Sequence, residues 1–228
     1  MSSDAPIGGI RACVFDAYGT LFDFASAAAG CRDVLGDSAG RLAALWRDKQ
    51  LQYSWLRTVQ GRHADFWQVT GDALDFSLET LGIREPGLRD RLMDLYLTLD
   101  PFPEVPAVLR RLRAAGLKTA ILSNGTPQML QGAVEAARIG GDLDAVLSVD
   151  AIRIYKPQME VYALATAAFR LAPADVTFVS SNRWDVMGAT AFGFRCIWVN
   201  RANAPEEYPE FAPVKVVREL GALATLEI

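Results

Sequence analysis

The sequence predicts an α/β fold in which a parallel sheet carries helices on both faces and a block of helices is inserted near its start. Three observations predict it. Five short apolar runs of strand length alternate with segments of helical spacing. The one long stretch without strand character, from Ala25 to about Leu99, falls between the first run and the other four. Several runs end abruptly in small polar or acidic residues, as strands do where an open α/β sheet meets a ligand.

In order, Ile10 to Phe15 reads as a buried strand that stops at Asp16, and Tyr18-Gly19-Thr20 turns the chain behind it. Alone, an Asp in such a place reads first as a turn cap. Leu42, Leu45, Trp46, Lys49, Tyr53 and Leu56 then mark an amphipathic helix in which Arg47 sits among large side chains. A second helix runs from Ala64 to Leu81, ended by Gly82, and a third from Pro86 to Leu99. Pro101, Pro103 and Pro106 mark the exit from this block.

A helix from Glu104 to Ala115 feeds the strand Thr119 to Leu122, which stops at Ser123-Asn124-Gly125. Pro127 to Ala137 reads as helix and Ala145 to Val149 as strand. Tyr155-Lys156-Pro157 then opens a helix to Phe169, with Pro157 in its first turn. Val176 to Val179 is a strand followed by Ser180-Ser181-Asn182-Arg183-Trp184-Asp185 and a helix closed near Gly193, and Cys196 to Val199 is the last strand. The expected organisation is a core of residues 1–22 and 103–228 with a helical cap of residues 23–102.

Composition limits the function. A chain of 228 residues buries roughly 70% of its unfolded surface, enough for a substantial core. With 51% hydrophobic and 22% charged residues and a net charge of -4, it reads as a soluble globular protein, with neither nucleic acid nor membrane as partner. A negative protein does not draw anions from a distance, so an anionic ligand must be held by local cations and backbone amides. Cys13, Cys31 and Cys196 are widely spaced and fit no metal pattern, and the single histidine, His63, reads as a surface residue. A disulfide-free cytoplasmic protein follows. Met1 to Gly9 lacks the pattern of a secretion signal and reads as a loose tail, and no apolar run reaches the roughly 18 residues of a membrane span.

The ends of the strands carry, in order, Asp16, Ser123 with Asn124, Lys156 a little beyond its strand, and Asn182 with Asp185. In a parallel sheet these ends lie on one side, so residues more than a hundred positions apart converge. Two acids, a lysine, hydroxyls and amides gathered there form a candidate site, and they lift Asp16 above a turn cap.

The ordered set Phe15-Asp16-x-Tyr18-Gly19-Thr20-Leu21, Leu122-Ser123-Asn124-Gly125, Tyr155-Lys156-Pro157 and Ser180-Ser181-Asn182-x-Trp184-Asp185 resembles the haloacid dehalogenase superfamily. Within it, Trp46-Arg47-x-Lys49-Gln50-Leu51-x-Tyr53-x-Trp55-Leu56-Arg57 resembles the (S)-2-haloacid dehalogenases. The resemblance spans about residue 10 to Arg201 and implies a Rossmann-like core with a helical cap. It further implies hydrolysis of a short 2-haloacid anion to a 2-hydroxy acid and halide, with inversion at C2, and a homodimer. The route it implies begins with attack of Asp16 on C2 to form an ester. Water activated by Asp185 then attacks the carbonyl of that ester.

Lys156 supplies the charge that lets a substrate carboxylate approach Asp16. By resemblance, Ser123 and the amides of Ala17, Tyr18 and Asn124 hold that carboxylate, while Arg47, Asn124, Phe66 and Trp184 surround the halide. Thr20, Tyr162, Ser180 and Asn182 are supporting positions, and Arg183 reads as exposed. No metal or other cofactor is expected. Phosphatase relatives place a second acid two positions after the nucleophile and acidic magnesium ligands in the last motif, where this chain has Tyr18 and Ser181-Asn182. A magnesium-dependent phosphatase and a non-catalytic binding module on the same fold are the rival readings.

Overall fold

The computed structural model describes residues 8–225, so all but the last two residues of the expected tail lie outside it. Strand β1 (Ala12–Phe15) is followed by helices α1 (Ser26–Ala29), α2 (Arg32–Leu35), α3 (Ser38–Val59), α4 (Phe66–Thr80) and α5 (Leu88–Leu97). Helix and strand then alternate through α6 (Val105–Ala114), β2 (Lys118–Ser123), α7 (Pro127–Ala137), β3 (Ala145–Ser148), α8 (Met159–Phe169), β4 (Val176–Ser180), α9 (Arg183–Phe192), β5 (Arg195–Val199) and β6 (Lys215–Val217). The six strands form one sheet in the order β3-β2-β1-β4-β5-β6, and every neighbouring pair is parallel.

All four residues of β1 are buried, which requires cover on both faces and explains its unbroken apolar run. Because β2 and β4 leave β1 on opposite sides, the carboxyl end of β1 is the point where the strand order reverses, the place where open α/β sheets form their ligand crevice. Phe15 pairs with Ile121 on one side and Val179 on the other, so Leu122 and Ser180 lie one step further on, level with Asp16.

The helical block leaves and rejoins the sheet through two segments that run side by side. Asp23 N donates to Asp100 O at 2.8 Å and Phe102 N to Leu21 O at 2.9 Å. Helix α4 starts at Asp65, whose side chain accepts from Gln68 N. Helix α7 starts at Thr126, whose hydroxyl accepts from Met129 N, with Pro127 in the first turn. Helix α3 buries Ala39, Leu42, Ala43, Trp46, Gln50 and Ser54, a stripe that includes two polar residues. Leu56, counted with the apolar face in the sequence, is half exposed instead.

The helix expected to open at Pro157 begins at Met159, with Gln158 as its cap. A proline biases the residue before it away from helical backbone, and Lys156 N is already committed to Asn124 Oδ1 at 3.0 Å. Three of these helices and strands have no counterpart in the sequence reading: the one-turn helices α1 and α2, and the three-residue edge strand β6, too short to show a period.

Candidate active site

The turn after β1 needs Gly19. Its φ of +88° lies in the left-handed region, and a Cβ there would sit 3.0 Å from Ser181 Oγ. Gly125 has a different reason to be glycine, since a Cβ there would stand 2.7 Å from the Tyr18 hydroxyl. Asn182 occupies the N-cap position of α9, where an Asn side chain normally caps the helix. Here its Nδ2 donates instead to Asp16 Oδ2 at 2.8 Å and to the Tyr18 carbonyl at 3.3 Å.

The structure brings Asp16, Lys156 and Asp185 together with the four expected supporting positions, Thr20, Tyr162, Ser180 and Asn182. Lys156 Nζ donates to Asp16 Oδ1 at 3.0 Å and to Asp185 Oδ2 at 2.9 Å, and all three side chains are almost wholly buried. Asp16 Oδ2 also has Thr20 Oγ1 at 3.3 Å and Ser180 Oγ at 3.4 Å. Tyr162 donates its hydroxyl to Asp185 Oδ1 at 2.8 Å. Two carboxylates share one ammonium, so the cluster carries a net negative charge.

The electrostatics follow from burial. Burial alone would pull Lys156 down, but the charges of Asp16 and Asp185 and their hydrogen bonds outweigh it and hold the ammonium above the ordinary lysine range. Burial pushes Asp185 up to about 6, against the lowering pull of Lys156 and with a further rise from Asp16. Burial also holds the Tyr162 hydroxyl well above the ordinary tyrosine range, so it stays a proton donor to Asp185.

The residues expected to bind substrate border this cluster to different degrees. Ala17 and Tyr18 follow Asp16 directly and are buried. Ser123 Oγ accepts from Gly125 N at 3.1 Å, and Asn124 is tied to Lys156 through its side chain. Phe66 is fully buried, its ring 5.8 Å from that of Tyr18. Arg47 reaches in from α3, with Nη2 3.5 Å from the Tyr18 carbonyl, and its Nε is buried without a partner among the described residues. Trp184 stands apart from this hydrogen-bonded set and packs edge-on against Trp55 of α3, ring centroids 5.3 Å apart. It lines a cavity of about 340 Å³ together with Gly19, Phe24, Asn182, Trp198 and Arg201. A larger hollow, about 600 Å³, opens at the opposite end of the strands beside Arg11, Gly116 and Lys118, and none of the site's residues reaches it.

Two expectations are corrected. Arg183 is 4% exposed, not a surface residue: Nε donates to Glu206 Oε1 at 2.8 Å and Nη2 to the carbonyls of Tyr208 and Phe211. Its partners lie 23 to 28 positions away in sequence, so nothing local announces the burial. His63 is half-buried, 3.6 Å from Asp150, with its ring against Tyr155. The segments that meet there are also distant in sequence.

Sequence reasoning missed Gln50, which accepts from Arg47 Nη1 at 2.8 Å, and Ser181, whose N donates to Thr20 Oγ1 at 2.8 Å. Gln50 lies three positions after Arg47 on one helix, a spacing that puts the two side chains together and is legible in the sequence. Among the described residues no group of three or more His, Cys, Asp or Glu is placed to hold a metal ion.

With this geometry established, the family follows. The family model for haloacid dehalogenase-like hydrolases matches residues 10–193, and the chain belongs to that family. Among curated relatives, (S)-2-haloacid dehalogenase 1 of Pseudomonas sp. (strain CBS-3) is 49% identical over 218 residues, covering 95% of each chain. (S)-2-haloacid dehalogenase 4A of Burkholderia cepacia is 47% identical, covering 92% of this chain and 90% of that one. Among solved structures, L-2-haloacid dehalogenase from Xanthobacter autotrophicus with chloropropionic acid covalently bound matches with a TM-score of 0.84 at 41% identity, over 95% of this chain and 98% of that one.

Proposed function

We infer that this protein is an (S)-2-haloacid dehalogenase: it hydrolyses short-chain (S)-2-haloalkanoates to (R)-2-hydroxy acids and halide through an ester on Asp16. The observation that carries the reading is the Lys156 ammonium bridging Asp16 and Asp185. It supplies the positive charge an incoming carboxylate requires and holds both acids in place. Two unit charges 4 Å apart repel by about 4 kcal/mol at an effective dielectric constant near 20, a barrier to binding that one shared cation and Arg47 offset.

Asp16, aimed by Lys156, Asn182, Thr20 and Ser180, displaces the halide at C2 from the opposite face, and the carbon–oxygen bond forms as the carbon–halogen bond breaks. The halide leaves with the bonding electron pair towards the Arg47 guanidinium. Asp185 then takes a proton from water as the water oxygen attacks the Asp16 ester carbonyl. Asp185 returns that proton to the departing alkoxide oxygen as the ester C–O bond breaks, so the 2-hydroxy acid is released and Asp185 is ionised again. Asp16 keeps the oxygen from water and loses that oxygen's remaining proton to solvent. A carboxyl raised to about 6 is a stronger base than an ordinary aspartate and is still ionised at neutral pH.

Halide needs no protonation to leave. An alkoxide does, and the neutral Tyr18, its hydroxyl held well above the ordinary tyrosine range chiefly by burial, is poorly suited to supply the proton. This, and a last motif that offers Ser181 and Asn182 in place of acidic ligands, disfavour a magnesium-dependent phosphatase, and we take the reaction to need neither metal nor other cofactor.

Residues 1–22 and 103–228 form the core in this reading, and 23–102 the cap. Three free, buried cysteines suit a cytoplasmic setting, and among the described residues no helix is long and apolar enough to cross a membrane. We take the protein to be a homodimer, a reading favoured by Leu56 and Val59, exposed 50% and 81% near the end of α3. Light scattering at micromolar protein should return the dimer mass, and a monomer would remove that part of the reading.

Chloride release should occur with (S)-2-chloropropionate, not with the (R) enantiomer, and should be indifferent to EDTA. Release of phosphate from an aryl phosphate, abolished by chelator, would point to the phosphatase instead. Because Asp185 must be ionised to act as base and protonates as pH falls, ester hydrolysis should lose rate below pH about 6, roughly tenfold per unit. A single-turnover pH profile with no acid limb between pH 5 and 7 would contradict the assignment of Asp185.

A further inference from the structure

The guanidinium of Arg47 is held in place by a directed chain of hydrogen bonds through the helical block. Gln50, fully buried on α3, must satisfy both ends of its amide inside the protein. Its Nε2 donates to Thr70 Oγ1 at 2.7 Å and lies 3.1 Å from the Tyr96 hydroxyl, while its Oε1 accepts from Arg47 Nη1 at 2.8 Å. Thr70 gives its one hydroxyl proton to the Phe66 carbonyl, 2.6 Å away and one turn back on α4. Towards Gln50 it is therefore an acceptor only. That forces the amide nitrogen of Gln50 to face Thr70 and its oxygen to face Arg47. The direction of the chain, from Arg47 through Gln50 and Thr70 to a helix carbonyl, is thus set by backbone that cannot reverse.

We propose that Gln50, with Thr70 behind it, is the positioning residue that presents Arg47 to the departing halide. The proposal rests on the function inferred above, in which Arg47 stabilises that halide. With Nη1 held by Gln50 and the Phe24 ring 5.4 Å from Cζ, the guanidinium keeps Nε, buried and otherwise unpartnered, for the anion. An arginine that had to find this orientation during the reaction would lose rotamer freedom at the moment of halide departure, whereas one already fixed does not. Gln50 itself touches neither substrate nor Asp16. Its influence falls on the step that expels halide and leaves ester hydrolysis alone.

The leaving group reads this out. Chloride departs less readily than bromide and depends more on stabilisation of the emerging anion, so a misaimed Arg47 slows the chloro substrate more. Single-turnover alkylation of Asp16 is measured with (S)-2-chloro- and (S)-2-bromopropionate for wild type, Gln50→Met, Thr70→Val, Thr70→Ser and Arg47→Ala. Gln50→Met should slow alkylation by the chloro substrate about 10- to 100-fold, the scale of one hydrogen bond to a charged group, with a rise in the bromo-to-chloro rate ratio and an unchanged rate of ester hydrolysis. Thr70→Val should shift the ratio in the same direction, and Thr70→Ser, which keeps the hydroxyl, should restore it. The Thr70 pair decides the matter even where Gln50→Met does not fold, because a loss of folded protein lowers both substrates alike. An unchanged ratio in Gln50→Met and Thr70→Val, with chloro alkylation lost in Arg47→Ala, overturns the positioning role alone. Full chloro alkylation by Arg47→Ala would remove the underlying role of Arg47.

Discussion

One buried ammonium holding two buried carboxylates is the constraint around which the site is arranged. Taking ions out of water costs several kcal/mol each, and a pair of like charges at short range adds to that cost unless a cation lies between them. Lys156 does so with its Nζ within 3.0 Å of both Asp16 and Asp185. The remaining oxygen of each carboxylate is then met by neutral donors: Asn182 with Thr20 and Ser180 for Asp16, and Tyr162 for Asp185. Asn182 forgoes its usual task of capping α9 to serve there. The cluster still lacks one positive charge, so holding a substrate carboxylate and releasing an anion call for a further cation. Arg47, carried in by the helical block, supplies a second cation, 3.5 Å from the Tyr18 carbonyl.

The sheet makes this arrangement possible because its order reverses at β1. Asp16 lies between the ends of β2 and β4, so Ser123 and Asn124 arrive from one side, and Ser180, Asn182 and Asp185 from the other. Relatives on the same fold can run different chemistry by changing few side chains. In this chain Tyr18 stands where an acid would be needed to protonate a poor leaving group, and Ser181 and Asn182 stand where acidic metal ligands would be needed. The buried chain of hydrogen bonds through Gln50 and Thr70 adds a third element, a fixed hold on the Arg47 guanidinium.

How far the sequence speaks depends on whether a residue's partners are near it in the chain. The buried strands β1, β2, β4 and β5 were legible as apolar runs, and the cluster around Asp16 was legible because a parallel sheet gathers its strand ends whatever their separation. Tyr162, by contrast, looked like any helix residue facing a sheet, and only the resemblance pointed to it. β6 is a three-residue edge with too few positions to show a pattern. The burial of Arg183 depends on the loop around Glu206, Tyr208 and Phe211, and that of His63 on Asp150 and Tyr155. Neither set is visible locally. Gln50 was hidden for another reason: a polar residue within a buried helical stripe breaks the apolar pattern used to find that stripe, although its spacing from Arg47 marks it as a neighbour.

The central claim is that Asp16 itself is alkylated and later freed by attack at its own carbonyl. One turnover in water enriched in heavy oxygen, with enzyme in excess over (S)-2-chloropropionate, tests it most directly, followed by mass analysis of the product and of the peptide that carries Asp16. A covalent route predicts label in the Asp16 carboxylate and none in the hydroxyl of the first product. Label in that hydroxyl, with Asp16 unlabelled while product forms normally, would mean that water attacks C2 directly and would contradict it.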